Sequence, residues 1–159
     1  MQTALKAATY LAIAVVVLAL VLVQTLVRAS ASEDASRYPE VADYAAAYGL
    51  AAVVAIAGVQ VALLALGRLV SLATSGRVVG RPGLAWLAVI TWSLAASTAI
   101  TAVVVVHQMS LPAGRAAGPI VIWLMIVAAA GCMATLVTLV VRQVLLRAIA
   151  ADRELAEVI

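Results

Sequence analysis

Four segments without a charged residue constrain this chain more than any other feature of its sequence. They cover residues 7–27, 45–67, 84–106 and 119–141. As α-helices, each would be roughly 31–35 Å long, enough to cross a hydrocarbon core of about 30 Å. Because lipid offers no hydrogen-bond partner to the backbone, segments that cross it must be helical. We therefore predict an all-α fold, an integral membrane four-helix bundle.

The composition also indicates a chain that lies in lipid. Charged residues make up 11 % of the sequence and hydrophobic residues 67 %, whereas a soluble domain carries about 25 % charged residues. The chain is expected to form a single transmembrane domain over residues 1–159. Its helices are predicted near residues 5–28, 42–73, 83–108 and 117–151.

The first apolar segment raises the question of a cleaved signal peptide. Lys6 precedes it and small residues follow it at 29–31, as they do in signal peptides. However, the apolar run of a signal peptide is about 7–15 residues, and this run is longer. We expect this segment to stay attached as a membrane helix.

The basic residues indicate which side of the membrane each end faces. With both termini inside, seven of the ten Lys and Arg residues face the cytoplasm and three face outward, as the positive-inside rule requires. The sequence thus predicts a multi-pass protein of a bacterial inner membrane with cytoplasmic N and C termini. A short acidic loop at 29–41 is expected outside, and a basic loop at 74–82 inside.

Residues 142–159 form an amphipathic tail without Gly or Pro, so helix 4 is predicted to extend into the cytoplasm. This tail and the 66–83 region hold the basic side chains that we expect to contact a cytoplasmic protein partner or lipid headgroups. They are Arg68, Arg77, Arg81, Arg142, Arg147 and Arg153. The alternative is that these arginines only set topology and meet anionic lipid, at about 1 kcal/mol each near the surface.

Polar and small residues inside the spans allow two interpretations. Small residues let helices approach closely, and hydroxyls can bond across helices or back to their own. We expect packing seams, with a polar path through the membrane as the alternative, and an interhelical hydrogen bond from Gln60. The residues concerned are Gln60, Ser93, Ser97, Thr101, Gly131 and Thr135.

No pattern in the sequence carries recognisable chemistry. One histidine, His107, and one cysteine, Cys132, cannot build a zinc site or a disulfide from a single chain. We predict a protein that is not an enzyme, with no catalytic residue, metal or cofactor. The net charge of +3 is too small to indicate direct nucleic-acid binding. His107 is expected at the outer interface, with external pH sensing as the alternative, and Cys132 in the core.

Two stretches resemble a known family. One is "LLALGRLVSLATSGRVVGRPGLAWLAVI", residues 63–90, in which Gly76-Arg77-Val78-Val79 precedes Leu87. The other is "VLLRAIAADRELAEVI", residues 144–159, a basic helix end followed by acidic residues and a terminal Ile159. Together they are similar to the bacterial membrane proteins grouped as domain of unknown function 2975. The resemblance runs from about residue 5 to the end.

This resemblance implies four membrane helices and provides no established catalytic residues. Some family members have a gene arrangement similar to pairs with a small helix-turn-helix regulator. That arrangement implies a membrane anchor or sensor that binds a cytoplasmic partner. The alternative function is a small-molecule or ion channel or transporter subunit. Four short helices bury a modest area, so a homo-oligomer in the lipid bilayer is expected.

Overall fold

A computed structural model of the chain describes residues 2–37, 42–75, 80–111 and 118–156. These residues form four α-helices: α1 (Gln2–Arg37), α2 (Ala42–Thr74), α3 (Arg81–Ser110) and α4 (Gly118–Ala156). Each is long and apolar enough to cross a membrane. The prediction of an all-α membrane protein with four spanning helices is confirmed.

The helices pack in chain order, and each packs only on its neighbours in sequence. α1 lies against α2, α2 against α3, and α3 against α4, and within the described residues no other two helices pack side by side. The packing is antiparallel, since Tyr10 near the start of α1 meets Gly67 near the end of α2. The four helices therefore form an open bundle in which α1 and α4 do not close onto each other.

α3 lies in the centre of this arrangement. In its spanning window 28 % of the residues are buried, against 6 % in α1 and in α4. Its buried face carries Leu87 and Ile90, which pack with Ala62 and Ala65 of α2 in a small apolar cluster. Leu145 of α4 packs against the same cluster. The lipid-facing sides of α1 and α4 are left broadly apolar and exposed.

Two glycines set how closely α3 approaches its neighbours. Gly58 of α2 lies directly on the Ser97 hydroxyl of α3, and a Cβ added there would also come within 3.2 Å of the Ser93 carbonyl oxygen. Gly131 of α4 lies on the Thr98 hydroxyl in the same way. Because Gly has no Cβ, these helix backbones approach more closely than larger residues would allow.

The end of α1 differs from the predicted boundary. α1 continues to Arg37 rather than ending at residue 28, so residues 29–37, expected in a loop, are helical. Between residues 29 and 37 the sequence has no Gly or Pro, and the next proline is Pro39. At the start of α3, Pro82 occupies the first turn, a favourable position because proline needs no backbone donor there.

The prediction that Cys132 is a core residue is wrong. Cys132 is exposed on α4, although it is adjacent to Gly131 in the contact with α3. Successive residues of a helix are rotated by about 100° around its axis, so Cys132 lies on a different face of α4 from Gly131. Because α4 packs on α3 alone among the described helices, that face is open to lipid.

We predict that Gly131→Val destabilises the protein, because the added side chain must displace Thr98 or push α4 away from α3. The expected loss is about 1–3 kcal/mol, as for other overpacked positions. The measurement is thermal unfolding of the detergent-purified chain. The matched control is Cys132→Val, which introduces the same side chain one residue away on the exposed face and should leave the midpoint nearly unchanged. Equal losses for both variants would contradict the close contact.

Candidate functional site

A polar network joins α1 and α2 inside the membrane-spanning region. The Gln24 amide nitrogen donates to the Val53 carbonyl oxygen at 3.1 Å. The Gln60 amide nitrogen in turn donates to the Gln24 side-chain oxygen at 3.3 Å. The interhelical hydrogen bond expected of Gln60 is present, and its partner is Gln24. In lipid such a contact replaces hydrogen bonds that water cannot provide, so it fixes the register of α1 on α2.

Several hydroxyls of α3 and α4 bond back to their own helices. Ser97 donates to the Ser93 carbonyl at 2.9 Å, and Thr101 donates to the Ser97 carbonyl at 2.9 Å. Thr135 donates to the Gly131 carbonyl at 2.8 Å. Their hydrogens are therefore engaged within each helix, an arrangement typical of Ser and Thr in apolar surroundings. Ser97 and Thr101 are buried, whereas Thr135 is half-buried.

The residues predicted as packing seams or as a polar path lie in separate places. Gln60 belongs to the α1–α2 contact, and Ser97 to the α2–α3 contact through Gly58. Gly131 belongs to the α3–α4 contact. These three residues thus lie at three different interfaces of the open bundle.

An aromatic cluster joins α2 and α3 at the end opposite the basic loop. The Tyr48 hydroxyl and His107 Nδ1 lie 2.6 Å apart and are hydrogen-bonded. Tyr44 lies one turn before Tyr48, with ring centroids 6.2 Å apart, and its ring is 5.4 Å from the His107 ring. Side chains with an apolar ring and a polar atom at its edge suit the membrane interface. His107 is exposed at this end of the bundle, and its position on the outer side of the membrane stays a prediction.

Most of the predicted contact arginines lie together at the other end of the molecule. Arg68 is near the end of α2, Arg81 begins α3, and Arg142 and Arg147 lie in the second half of α4. All four side chains are exposed. The antiparallel packing places these four arginines toward the same end of the bundle.

The remaining two predicted contact residues have no described side chain. Arg77 lies outside the described residues, and Arg153 lies on α4 at a position whose side chain is not described. The acidic side chains that the structure does describe, Glu33 and Asp43, lie near the end of α1 and the start of α2. They are thus at the opposite end of the bundle from the four described arginines.

Four membrane-length apolar helices define a multi-pass α-helical membrane protein. The chain belongs to the family described as "Protein of unknown function (DUF2975)", whose sequence profile matches residues 29–159. The match covers the end of α1 and the whole of α2, α3 and α4, and it begins later than the resemblance expected from about residue 5. No curated protein and no solved structure gives a significant match to the chain.

Several contacts were not apparent in the sequence. Gln24 is a polar residue within a span, and nothing in its local pattern identifies Gln60 as its partner. The Tyr48–His107 pair joins residues 59 positions apart, so helix periodicity cannot predict it. Tyr10, whose hydroxyl donates to the Gly67 carbonyl at 3.1 Å, is polar in an apolar segment, and this was the one available signal.

We predict that Gln24 and Gln60 are energetically coupled. Gln24→Leu leaves the Gln60 amide without its partner and should cost about 1–2 kcal/mol, since an unpaired buried group costs more than a removed pair. The double variant Gln24→Leu, Gln60→Leu replaces both partners and should be more stable than Gln24→Leu alone. A double-mutant cycle on unfolding in detergent measures the coupling. Strictly additive losses would contradict the network.

Proposed function

We propose that this protein is a non-enzymatic membrane anchor or sensor whose basic end binds a cytoplasmic protein. The observation that carries the proposal is the collection of exposed Arg81, Arg142 and Arg147 at one end of the bundle. A cluster of arginines without a described acidic neighbour suits a partner with an acidic surface. A small helix-turn-helix regulator with such a surface is the partner we propose.

The orientation proposed for the chain supports this role. In this orientation both termini and the basic 74–82 loop lie on the cytoplasmic side of a bacterial inner membrane, because Lys and Arg in short loops stay on that side. The basic side chains would then face soluble cytoplasmic proteins. Their charges would also attract anionic lipid, so topology alone is the competing explanation for them.

The length of α4 gives the proposed partner a surface to bind. Gly131 of α4 and Thr98 of α3 lie at the same level of the bundle. From that level α3 has about 17 residues to its start, and α4 has about 25 residues to its end. The remaining part of α4 is therefore longer by about 12 Å of helix. The last turns of α4 therefore extend past the start of α3 at Arg81. We propose that these turns enter the cytoplasm as a docking helix.

The described polar residues do not favour the alternative of a channel or transporter subunit. Such a function needs polar groups that line one continuous path. Here the Ser97, Thr101 and Thr135 hydroxyls donate to carbonyls of their own helices. The apolar faces of α1 and α4 are instead suited to lipid, and we propose that a second copy of the chain packs on one of them in a homo-oligomer.

We predict that truncation after Arg147 reduces recovery of the partner at least several-fold while leaving the membrane part intact. The measurement is a crosslinked pull-down from native membranes with quantitative mass spectrometry. A specific partner should be recovered with the full chain. The recovered amount should fall at least several-fold on truncation, and it should also fall in the double variant Arg81→Glu, Arg147→Glu.

The matched control is Arg28→Glu, which reverses an exposed charge on α1 at the end of the bundle opposite the basic end. A partner that binds the basic end should be recovered equally from this variant and from the unchanged chain. Any recovered protein should then bind the purified full chain in detergent. Recovery that is equal for the full, truncated and charge-reversed chains would contradict the proposal.

A further inference from the structure

A groove runs between α1 and α3 along the surface of α2. It exists because α1 and α3 both pack on α2 without packing on each other. Its floor contains Val61 and Leu64, and its walls contain Ile13 of α1 and Val89 of α3. Its volume is about 440 Å³, within the range of small-molecule sites. The body of the groove is apolar and opens sideways, toward the surrounding membrane.

The lining side chains that carry polar atoms are Tyr10, Arg68 and Trp86. They lie near the start of α1, the end of α2 and the start of α3, so the antiparallel order places them toward the same end of the groove. Tyr10 is held in place because its hydroxyl donates to the Gly67 carbonyl. Gly67 permits this approach, since a Cβ there would lie 3.4 Å from the Tyr10 ring. Trp86 is 37 % exposed beside it. Tyr and Trp are typical of the level at which lipid headgroups meet acyl chains.

The charge at this end is positive. Arg68 is exposed, and Lys6 lies one helical turn before Tyr10 on the same side of α1. Asp43, at the start of the same helix as Arg68, is about 38 Å away along the helix axis. No acidic side chain that the structure describes lies near the mouth of the groove. An anion is therefore the complement that this end of the groove fits.

We propose that the groove binds an anionic phospholipid, with its phosphate at Arg68 and one acyl chain along α2. Arginine is suited to phosphate because its planar guanidinium donates two parallel hydrogen bonds. The apolar lining of the groove suits an acyl chain, whereas an extended peptide would leave backbone groups without partners there. The site depends neither on the proposed cytoplasmic partner nor on which membrane face the mouth occupies.

Quenching of Trp86 by brominated lipid tests this site directly. Trp92 and Trp123 are replaced by Phe, so that fluorescence reports on the mouth of the groove alone. The full chain is reconstituted in phosphatidylcholine, and phosphatidylglycerol with brominated acyl chains is added at increasing mole fraction. Brominated phosphatidylcholine at the same mole fractions is the comparison. We expect the anionic lipid to quench at a several-fold lower mole fraction than the zwitterionic lipid.

Three variants and one probe position separate a built site from contact with bulk lipid. Arg68→Gln should abolish most of the several-fold preference for the anionic lipid, because glutamine makes no charge-assisted hydrogen bond to the phosphate, and Arg68→Lys should retain part of the preference. Arg28→Gln, which removes an exposed charge on α1 at the opposite end of the bundle, should leave the preference within about twofold. A chain that keeps only Trp123, which is 67 % exposed on α4, should be quenched equally by both lipids.

Equal quenching of Trp86 by the two lipids in the chain with Arg68 intact would overturn the proposal, because the groove would then meet bulk lipid only. An anionic preference that survives Arg68→Gln would overturn it as well. The first comparison needs no substitution at Arg68, so it stands even if that variant folds poorly. Thermal unfolding of each variant in detergent shows whether the fold is kept.

Discussion

The close approach of α3 to both of its neighbours is the contact on which the rest of the structure depends. In lipid, apolar side chains gain little by leaving a solvent that is itself apolar, so packing must hold the helices together. Gly58 and Gly131 provide that packing, because each lets a helix backbone lie directly on a hydroxyl of α3. The Ser97 hydroxyl can be buried there because it donates to a carbonyl of its own helix.

The open order of the helices follows from this central position. α3 joins α2 to α4, and α1 is attached to α2 alone, through the Gln24–Gln60 network and the Tyr10–Gly67 hydrogen bond. The gap between α1 and α3 becomes the groove with Arg68 at its mouth. The same antiparallel order brings the exposed arginines to one end of the bundle and the Tyr48–His107 pair to the other. Fold and candidate sites are thus consequences of one packing arrangement.

Sequence alone predicted the helices well, because a charge-free run of membrane length has only one stable conformation in lipid. It predicted the family correctly from the region around Gly76 and the acidic tail. The end of α1 was missed although residues 29–37 contain no Gly or Pro that would stop a helix. The exposure of Cys132 could not be predicted, since it depends on which faces of α4 acquire neighbours. The pairing of Gln24 with Gln60 was equally inaccessible: 36 positions separate them, and a polar residue in a span does not indicate its partner.

The open bundle is the central claim, and disulfide crosslinking between α1 and α4 tests it most directly. Cys132, the single native cysteine, is exposed on α4, so cysteines introduced one at a time along residues 11–26 of α1 can be oxidised against it. Helices in direct contact lie about 8–10 Å apart. Since α1 and α4 do not touch, we predict no crosslinked monomer at any position, whereas a dimer band reports only contact between copies. A crosslinked monomer that recurs at helical spacing along α1 would show a closed bundle and contradict the account.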